Sequence, residues 1–187
     1  MVNVIPQSFN EIQHLLPSLK EVGKKREFKK NDFICRAGDK VTHLFYIVSG
    51  LVKCFQVHDG KEVILRILSD NSAAFAYSAF LTDSLSLEYI ECMQDCQGVL
   101  ISLTDLQRAR EKKPEINRLY QFMAEQHYLS MERRLIMLHH KSAKERYRFF
   151  CEHMDDKVVT ETPKNCIASY LGITPESFSR IKRELNN

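Results

Sequence analysis

The sequence predicts an α+β chain in which a β-rich N-terminal part is followed by a helical C-terminal part. Between about residues 26 and 103, short runs of β-branched and aromatic residues alternate with turn residues. After residue 104 this pattern stops, and apolar residues recur at helical spacing. These observations place the predicted domain boundaries at residues 1–110, 111–140 and 141–187.

The composition is typical of a chain that forms a core and does not cross a membrane. Of the 187 residues, 44% are hydrophobic and 27% are charged, and the formal net charge is +3. A membrane helix needs about 18 consecutive apolar residues, and a signal peptide needs a basic segment before an apolar run. The sequence offers neither, so we expect a cytoplasmic protein with no membrane partner. The six scattered cysteines are expected to be buried thiols.

Turn signals within the N-terminal part predict individual strand pairs. The dipeptide Asp59-Gly60 separates the apolar runs "LVKCFQV" and "KEVILRIL", which is the strongest short signal for a hairpin. The runs "EYIECMQ" and "CQGVLIS" predict a second strand pair around Asp95. Several short strands at this spacing favour an all-β sandwich or barrel.

The helical part is expected to begin with a helix capped by Thr104, followed by a longer helix that Pro114 opens. Alternating steps of three and four residues give this longer helix a seam suited to pairing with a second copy of the chain. The alternative is a helix packed wholly on its own domain. The seam residues are Ile116, Leu119, Met123, Gln126, Ser130, Arg133 and Met137.

Two short helices are predicted near the end of the chain, after a polar connection that could hold a strand at Val158–Val159. Thr162-Pro163 and Thr174-Pro175 each supply a capping hydroxyl followed by proline. Gly172 can end the first helix in the left-handed conformation, and the second begins two residues later. So short a joint forces a steep crossing, for which Ala168 is small enough. The spacing predicts a helix-turn-helix, with an ordinary helical hairpin as the alternative.

The second short helix carries a polar face suited to reading DNA. Glu176, Arg180 and Arg183 lie opposite the apolar residues Phe178 and Ile181. An arginine can bind guanine, and a carboxylate can accept from cytosine, in the major groove. Ser179 could contact a base, while Ser177 and Lys182 are expected at phosphates. The alternative is a solvated face carrying a Glu176–Arg180 ion pair.

Three stretches give the chain a resemblance to the Crp/Fnr superfamily of bacterial transcription regulators. They are "RAGDKVTHLFYIVSGLVKCF", "PEINRLYQFMAEQHYLSMERRLIML" and "IASYLGITPESFSRIKREL". The resemblance implies a cyclic-nucleotide-binding-type β-roll (a double-stranded jelly roll), a long central dimerisation helix and a C-terminal helix-turn-helix domain. No phosphate-gripping wing is evident before Asn187, which would weaken DNA binding.

The resemblance also implies a partner and a target. A homodimer would place two recognition helices about 34–36 Å apart on a pseudo-palindromic site in double-stranded DNA. Glu176, Ser179 and Arg180 match the Glu-x-x-Ser-Arg pattern of the Fnr branch, which implies half-sites resembling TTGAT. RNA polymerase is a further candidate partner.

The nucleotide-binding pattern of the superfamily is not retained. Ala76-Tyr77 stands where a Gly-Glu pair is expected, and Ser86-Leu87 stands where an arginine and a hydroxyl are expected. We therefore do not expect cyclic AMP as a ligand. The region could form a pocket for another, unknown small-molecule effector, or it could be a filled core. The candidate effector residues are Phe75, Ala76, Tyr77, Ser86, Leu87 and Glu88.

No cofactor and no catalytic activity are predicted. The resemblance would admit an iron–sulfur cluster, but the N-terminal cysteine group that holds it is missing, and no histidine spacing supports a haem. No metal-ligand cluster, phosphate-binding glycine loop or nucleophile-base set is evident. The competing class is an effector-sensing or protein-docking module that does not bind DNA.

Overall fold

The structure of the protein is a computed structural model that describes residues 16–186. The sequence also predicts an amphipathic lead-in helix from about residue 8 to 22, interrupted by Pro17, and its part before residue 16 lies outside the described residues. The strands are β1 Lys24–Phe28, β2 Phe33–Cys35, β3 His43–Ser49, β4 Val52–His58, β5 Lys61–Leu68, β6 Ser72–Ala74, β7 Tyr89–Cys92 and β8 Cys96–Ser102. The helices are α1 Leu16–Val22, α2 Tyr77–Thr82, α3 Leu103–Lys112, α4 Pro114–His139, α5 Ala143–His153, α6 Asp156–Glu161, α7 Lys164–Leu171 and α8 Pro175–Asn186.

The eight strands form two antiparallel sheets that face each other. The first sheet has the order β1-β8-β3-β6, and the second has the order β2-β7-β4-β5. Small and apolar side chains fill the space between them, as expected for sheets that bury one face each. This core contains Phe45, Ile47, Val52, Cys54, Ala74, Ile90, Cys92 and Cys96. The predicted β-roll followed by helices is confirmed.

The hairpin predicted at Asp59-Gly60 is formed by β4 and β5. Both turn residues have positive φ angles, 50° for Asp59 and 71° for Gly60. Two such residues make the turn whose twist matches the twist of paired strands. The second predicted pair is wrong, because β7 pairs with β2 and β4 while β8 pairs with β1 and β3. The chain therefore passes from one sheet to the other around Asp95, and β7 and β8 each pair with strands that are distant in sequence.

The helices that follow the strands close the open face of the first sheet. The hydroxyl of Ser102, rather than that of Thr104, caps α3 by accepting from the backbone N–H of Asp105 at 3.4 Å. Pro114 opens α4, as predicted. The first half of α4 then packs on α1, α3 and the sheet. This second core contains Leu19, Leu44, Val99, Ile101, Leu106, Ile116, Leu119, Phe122 and Met123.

The predicted seam of α4 therefore faces its own chain. Ile116, Leu119, Met123 and Met137 are 0%, 1%, 9% and 1% exposed. Gln126, Ser130 and Arg133 are half-buried along one cavity of the same chain. Burial in the chain's own core removes Ile116, Leu119, Met123 and Met137 from the predicted dimer interface, whereas the assignment of Gln126, Ser130 and Arg133 to it stays a prediction. The spacing of these seven residues correctly identified an apolar face of α4, but the apolar residues of that face pack into the core of the same chain.

The C-terminal unit begins after a short joint at the end of α4. Ser142 and Glu145 form a reciprocal capping box at the start of α5, with N–H to oxygen distances of 3.2 and 3.0 Å. The strand predicted at Val158–Val159 is wrong, because these residues lie in α6 and Val158 is buried. A helical turn lets this valine join the core formed by α5 and α7.

All six cysteines are free thiols. Cys54, Cys92, Cys96 and Cys166 are buried, Cys35 is half-buried, and Cys151 is exposed. The expectation of buried thiols is therefore correct for four of them.

The C-terminal unit is docked on the second sheet by a shared core and by polar contacts. Phe55, Ile64 and Ile67 of the sheet pack in one cluster with Ile167 and Leu171 of α7. The hydroxyl of Ser169 donates to the carbonyl of Glu62 at 2.9 Å and accepts from the N–H of Ile64 at 3.0 Å. Because β5 is an edge strand, these backbone groups would otherwise lack a partner within the sheet.

Further polar contacts join the same two parts of the chain. Lys157 contacts Asp70 at 2.5 Å, and the hydroxyl of Ser69 donates to Asp155 at 2.6 Å. Gln94 donates to Glu161 at 2.7 Å. The orientation of the C-terminal unit is therefore fixed by side chains on two loops of the roll as well as by α7.

We predict that Ser169→Ala lowers the free energy of unfolding by about 1–3 kcal/mol, because it leaves the N–H of Ile64 without a partner at a part-buried site. Urea denaturation followed by circular dichroism measures this change. The control is Ser179→Ala, which removes a hydroxyl from an exposed helical position. Equal stability of the two variants would show that the Ser169 contact does not hold the C-terminal unit in place.

Candidate nucleic-acid interface

The turn between α7 and α8 has the geometry that the sequence predicted. Gly172 has a φ angle of 66°, in the left-handed region. Its N–H donates to the carbonyl of Ser169 at 3.1 Å, and the N–H of Ile173 donates to that of Ala168 at 3.0 Å. This pair of bonds is the Schellman motif, which satisfies carbonyls that a helix end leaves free. The joint ends α7 abruptly and turns the chain into α8.

The two predicted capping threonines behave differently. The hydroxyl of Thr174 accepts from the N–H of Ser177 at 3.2 Å, so it caps α8 as predicted. Thr162 does not cap α7, since its hydroxyl is buried without a hydrogen-bond partner and Pro163 occupies the capping position. Thr162 instead ends the preceding helix, α6.

One face of α8 is anchored in the core of the C-terminal unit. Phe178 and Ile181 are buried, and the ring of Phe178 meets that of Tyr147 edge-on at 5.2 Å. Ala168 is fully buried in the same cluster, where α7 and α8 approach each other. A larger side chain at this position would push the helices apart.

The opposite face of α8 is open to solvent. Glu176, Ser179, Arg180 and Arg183 are all exposed, while Ser177 and Lys182 are half-buried. The predicted reading residues therefore share one accessible face, and the two predicted phosphate contacts flank it. Backbone geometry places them there because Phe178 and Ile181 fix the rotation of the helix.

The charged side chains on this face form no ion pairs among the described residues. The ion pair that the spacing allows between Glu176 and Arg180 is not formed, and within residues 16–186 neither side chain has an ion-pair partner. The N–H of Glu176 itself, and then the Thr174 side chain, lower the pKa of the Glu176 carboxyl. The face thus presents a carboxylate and two guanidinium groups to solvent.

A half-buried arginine, Arg146, connects this unit to the end of α4. The Nε of Arg146 donates to the carbonyl of His140 at 3.1 Å, and its Nη1 donates to that of Leu171 at 3.1 Å. Cations are favourable at such helix ends because the last carbonyls carry partial negative charge. Arg146 therefore couples the direction of α4 to the turn before α8.

The six candidate effector residues do not line one common cavity. Phe75 and Ala76 are buried, and Leu87 is 73% exposed. The Ser86 hydroxyl is occupied, since it donates to the carbonyl of Glu88 at 2.7 Å. Tyr77 packs on the ring of His127 of α4, with the ring centres 4.9 Å apart.

The sequence interpretation missed the partner of Glu88. Arg66 of β5 is only 4% exposed, and its guanidinium contacts the Glu88 carboxylate at 2.6 Å and the carbonyl of Phe75 at 3.3 Å. Nδ1 of His127 lies 3.4 Å from the same guanidinium. Burial, and then the charge of Arg66, lower the pKa of His127 to about 4. The sequence signal that could have indicated this contact is Arg66 itself, a charged residue within the apolar run "VILRIL".

These residues do not fit a cyclic phosphate. A guanidinium that could neutralise a phosphate must be free to contact it, whereas Arg66 is already paired with Glu88. Leu87 supplies no donor where the superfamily pattern has one. The carboxylate of Glu88 would also repel an anion placed beside it.

The described part of the chain holds neither a cluster of metal-ligating side chains nor a helix that could span a membrane. Residues 16–186 contain no group of three or more His, Cys, Asp or Glu side chains placed to hold a metal ion. No described helix is both long enough and apolar enough to cross a bilayer.

Sequence comparison matches the β-rich part of the chain to a domain family and most of the chain to one transcription regulator. Residues 25–113 match the family model for the cyclic nucleotide-binding domain. The chain is 24% identical to the transcriptional activator protein anr of Pseudomonas aeruginosa over 179 residues, which cover 89% of this chain and 72% of that protein.

Solved structures share the whole architecture. FixK2 from Bradyrhizobium japonicum superposes with a TM-score of 0.75 at 21% identity, over 88% of this chain and 85% of that one. The c-di-GMP-responsive global regulator CLP of Xanthomonas campestris superposes with a TM-score of 0.72 at 16% identity, over 93% and 91%. At such identities these likenesses establish the fold. Residues 25–113 therefore match the cyclic nucleotide-binding domain family, and over most of its length the chain is similar in sequence to the transcriptional activator anr and shares the fold of FixK2 and CLP.

Proposed function

We propose that the protein is a homodimeric, sequence-specific DNA-binding regulator that recognises a pseudo-palindromic site with half-sites resembling TTGAT. The observation that carries the proposal is the face of α8, where Glu176, Ser179, Arg180 and Arg183 are exposed on a helix whose other face is buried. A helix presented in this way can enter the major groove. Arg180 then binds a guanine, and Glu176 accepts from a cytosine.

Phosphate contacts would set the register of the helix on DNA. Ser177 and Lys182 flank the reading face and are half-buried, which restricts their side chains. Such contacts fix position and carry no sequence information. They also make binding weaker at higher salt, because each contact releases a condensed counterion.

The dimer seam lies on the outer face of α4 rather than on the predicted one. Six residues follow alternating steps of three and four, and each is exposed or half-buried: Gln121, Ala124, Tyr128, Met131, Leu135 and Leu138. This spacing is the a/d pattern of a two-stranded coiled coil. The four C-terminal members are apolar, which favours close pairing of the helices near the C-terminal units.

Regulation by cyclic AMP is not part of the proposal. The likeness to the transcriptional activator anr supports a regulator of this type, and the likeness to FixK2 supports its fold. The contact between Arg66 and Glu88 occupies the region in which a cyclic phosphate would need a free guanidinium.

We predict that Arg180→Ala costs about 1–3 kcal/mol of binding free energy on the preferred duplex and relaxes the preference at one base pair. Selection of bound duplexes from a random pool, followed by affinity measurement at fixed salt, tests both effects. The control Arg108→Ala removes an exposed arginine of α3 from the β-roll. Failure of the wild-type protein to select any palindromic duplex would refute the proposed function and favour a docking module.

We predict that Leu135→Glu converts the protein to a monomer, because it places a charge in the apolar seam. Leu135 is 59% exposed in the single chain, so the substitution leaves the core intact. Light scattering coupled to size-exclusion chromatography measures the mass. The control Leu87→Glu changes a leucine on the β-roll that is 73% exposed. A dimer that persists in Leu135→Glu at micromolar concentration would exclude this face as the seam.

We predict that cyclic AMP at millimolar concentration changes neither the affinity for the selected duplex nor the melting temperature. A ligand that binds the folded state raises the melting temperature by mass action, so thermal unfolding is a sensitive measurement. A clear rise in melting temperature would show that the Arg66–Glu88 pair opens to admit a cyclic phosphate.

A further inference from the structure

One guanidinium holds the end of α4 and the end of α7 together. Nε of Arg146 donates to the carbonyl of His140, which caps α4, and Nη1 donates to that of Leu171, the last residue of α7. Both distances are 3.1 Å. A guanidinium is planar and rigid, so the two bonds restrict the separation and the relative direction of the two carbonyls. Arg146 thus connects the C-terminal end of the long helix to the turn from which α8 starts.

A second arginine connects the same two helices. The guanidinium carbon of Arg134, in α4, lies 4.5 Å from the ring centre of Tyr170, in α7. Tyr170 is only 4% exposed, and a cation over an aromatic face is attracted more strongly where water is excluded. Nη1 of Arg134 is buried and has no hydrogen-bond partner within residues 16–186. The ring contact therefore helps to stabilise a cation that is otherwise costly to bury.

The proposed dimer seam lies beside these two contacts. Arg134 directly precedes the seam residue Leu135, and Leu138 is the last member of the seam. A Cβ at Gly172 would lie 3.7 Å from Cδ2 of Leu138 and 3.5 Å from Nη1 of Arg146. A single layer of side chains therefore separates the seam from the turn before α8.

Two routes connect the seam to the reading face of α8. The long route runs through the first half of α4, the two sheets and the docking of α7 on β5. The short route runs through the contacts of Arg134 and Arg146 alone. Small displacements add up along a series of contacts, so the short route restricts the position of α8 relative to a two-fold axis at the seam most tightly.

We infer that Arg134 and Arg146 determine which spacing between the two half-sites the dimer accepts, although neither belongs to the reading face. This inference rests on the proposed function, and it assigns spacing to the joint and base sequence to α8. One additional base pair moves a half-site by about 3.4 Å and rotates it by about 34–36°. Two reading helices that are held rigidly cannot follow such a shift, whereas helices released at the joint can.

The test measures affinity for three duplexes that carry the half-sites selected by the wild-type protein, one with the selected spacer and two with a spacer one base pair shorter or longer. We expect the wild-type dimer to lose about tenfold or more in affinity on either altered spacer, because the DNA must then be twisted to fit. Arg146→Met removes both carbonyl bonds and is expected to reduce this loss to about threefold or less. Arg134→Met is expected to act in the same direction.

The matched control is Arg148→Met, since Arg148 is an exposed arginine of α5, and it should keep the wild-type response to spacing. Circular dichroism and light scattering first establish that each variant is a folded dimer. If Arg146→Met does not fold, Arg134→Met decides the question. Selection from a random pool should return the wild-type half-site sequence for every variant, because α8 is unchanged.

Three results would overturn the inference and leave the proposed function intact. They are a wild-type protein that binds all three duplexes equally, folded variants that keep the wild-type response to spacing, and variants that bind all three duplexes more weakly by one common factor. The last result would indicate a purely structural role for the two arginines. A wild-type protein that selects no palindromic duplex would overturn the proposed function and this inference together.

Discussion

The packing of α7 against the second sheet is the constraint on which the rest of the structure depends. Ser169 binds two backbone groups of the edge strand β5, and the apolar face around it merges with Phe55, Ile64 and Ile67 of the sheet. With α7 fixed, the Gly172 turn leaves only a narrow range of directions for α8. The outward presentation of the reading face is therefore a consequence of how the first helix of the pair is buried.

Three faces of the long helix α4 have three different surroundings. Its Ile116, Leu119 and Met123 cover the first sheet, and its Ser130 and Arg133 border the large cavity. Its outer face, including Leu135, remains open. A movement of this helix would therefore change its contacts with the first sheet and with the cavity, and it would move the proposed seam. Arg146 extends this connection to the turn before α8 by binding the carbonyls of His140 and Leu171.

The β-roll has the architecture of a cyclic nucleotide-binding domain, and its interior holds a buried ion pair between Arg66 and Glu88. A buried arginine must be paired to be tolerated in a low-dielectric site, and Glu88 provides that pair for Arg66. The Arg66 guanidinium also lies 3.4 Å from Nδ1 of His127 in α4, so the roll and the helix are in direct contact there.

Local signals in the sequence determined the hairpin at Asp59-Gly60, the start of α4 at Pro114 and the turn at Gly172, because each depends on the dihedral preferences of a few adjacent residues. They also identified Glu176 and Arg180 as neighbours on one helical face. Only the tertiary structure decided that β7 and β8 lie in different sheets, that Ile116 and Met123 face the chain's own core, and that Arg66 pairs with Glu88. Sequence periodicity shows which face of a helix or strand is apolar. It does not show what that face packs on, because the packing partners are elements distant in sequence.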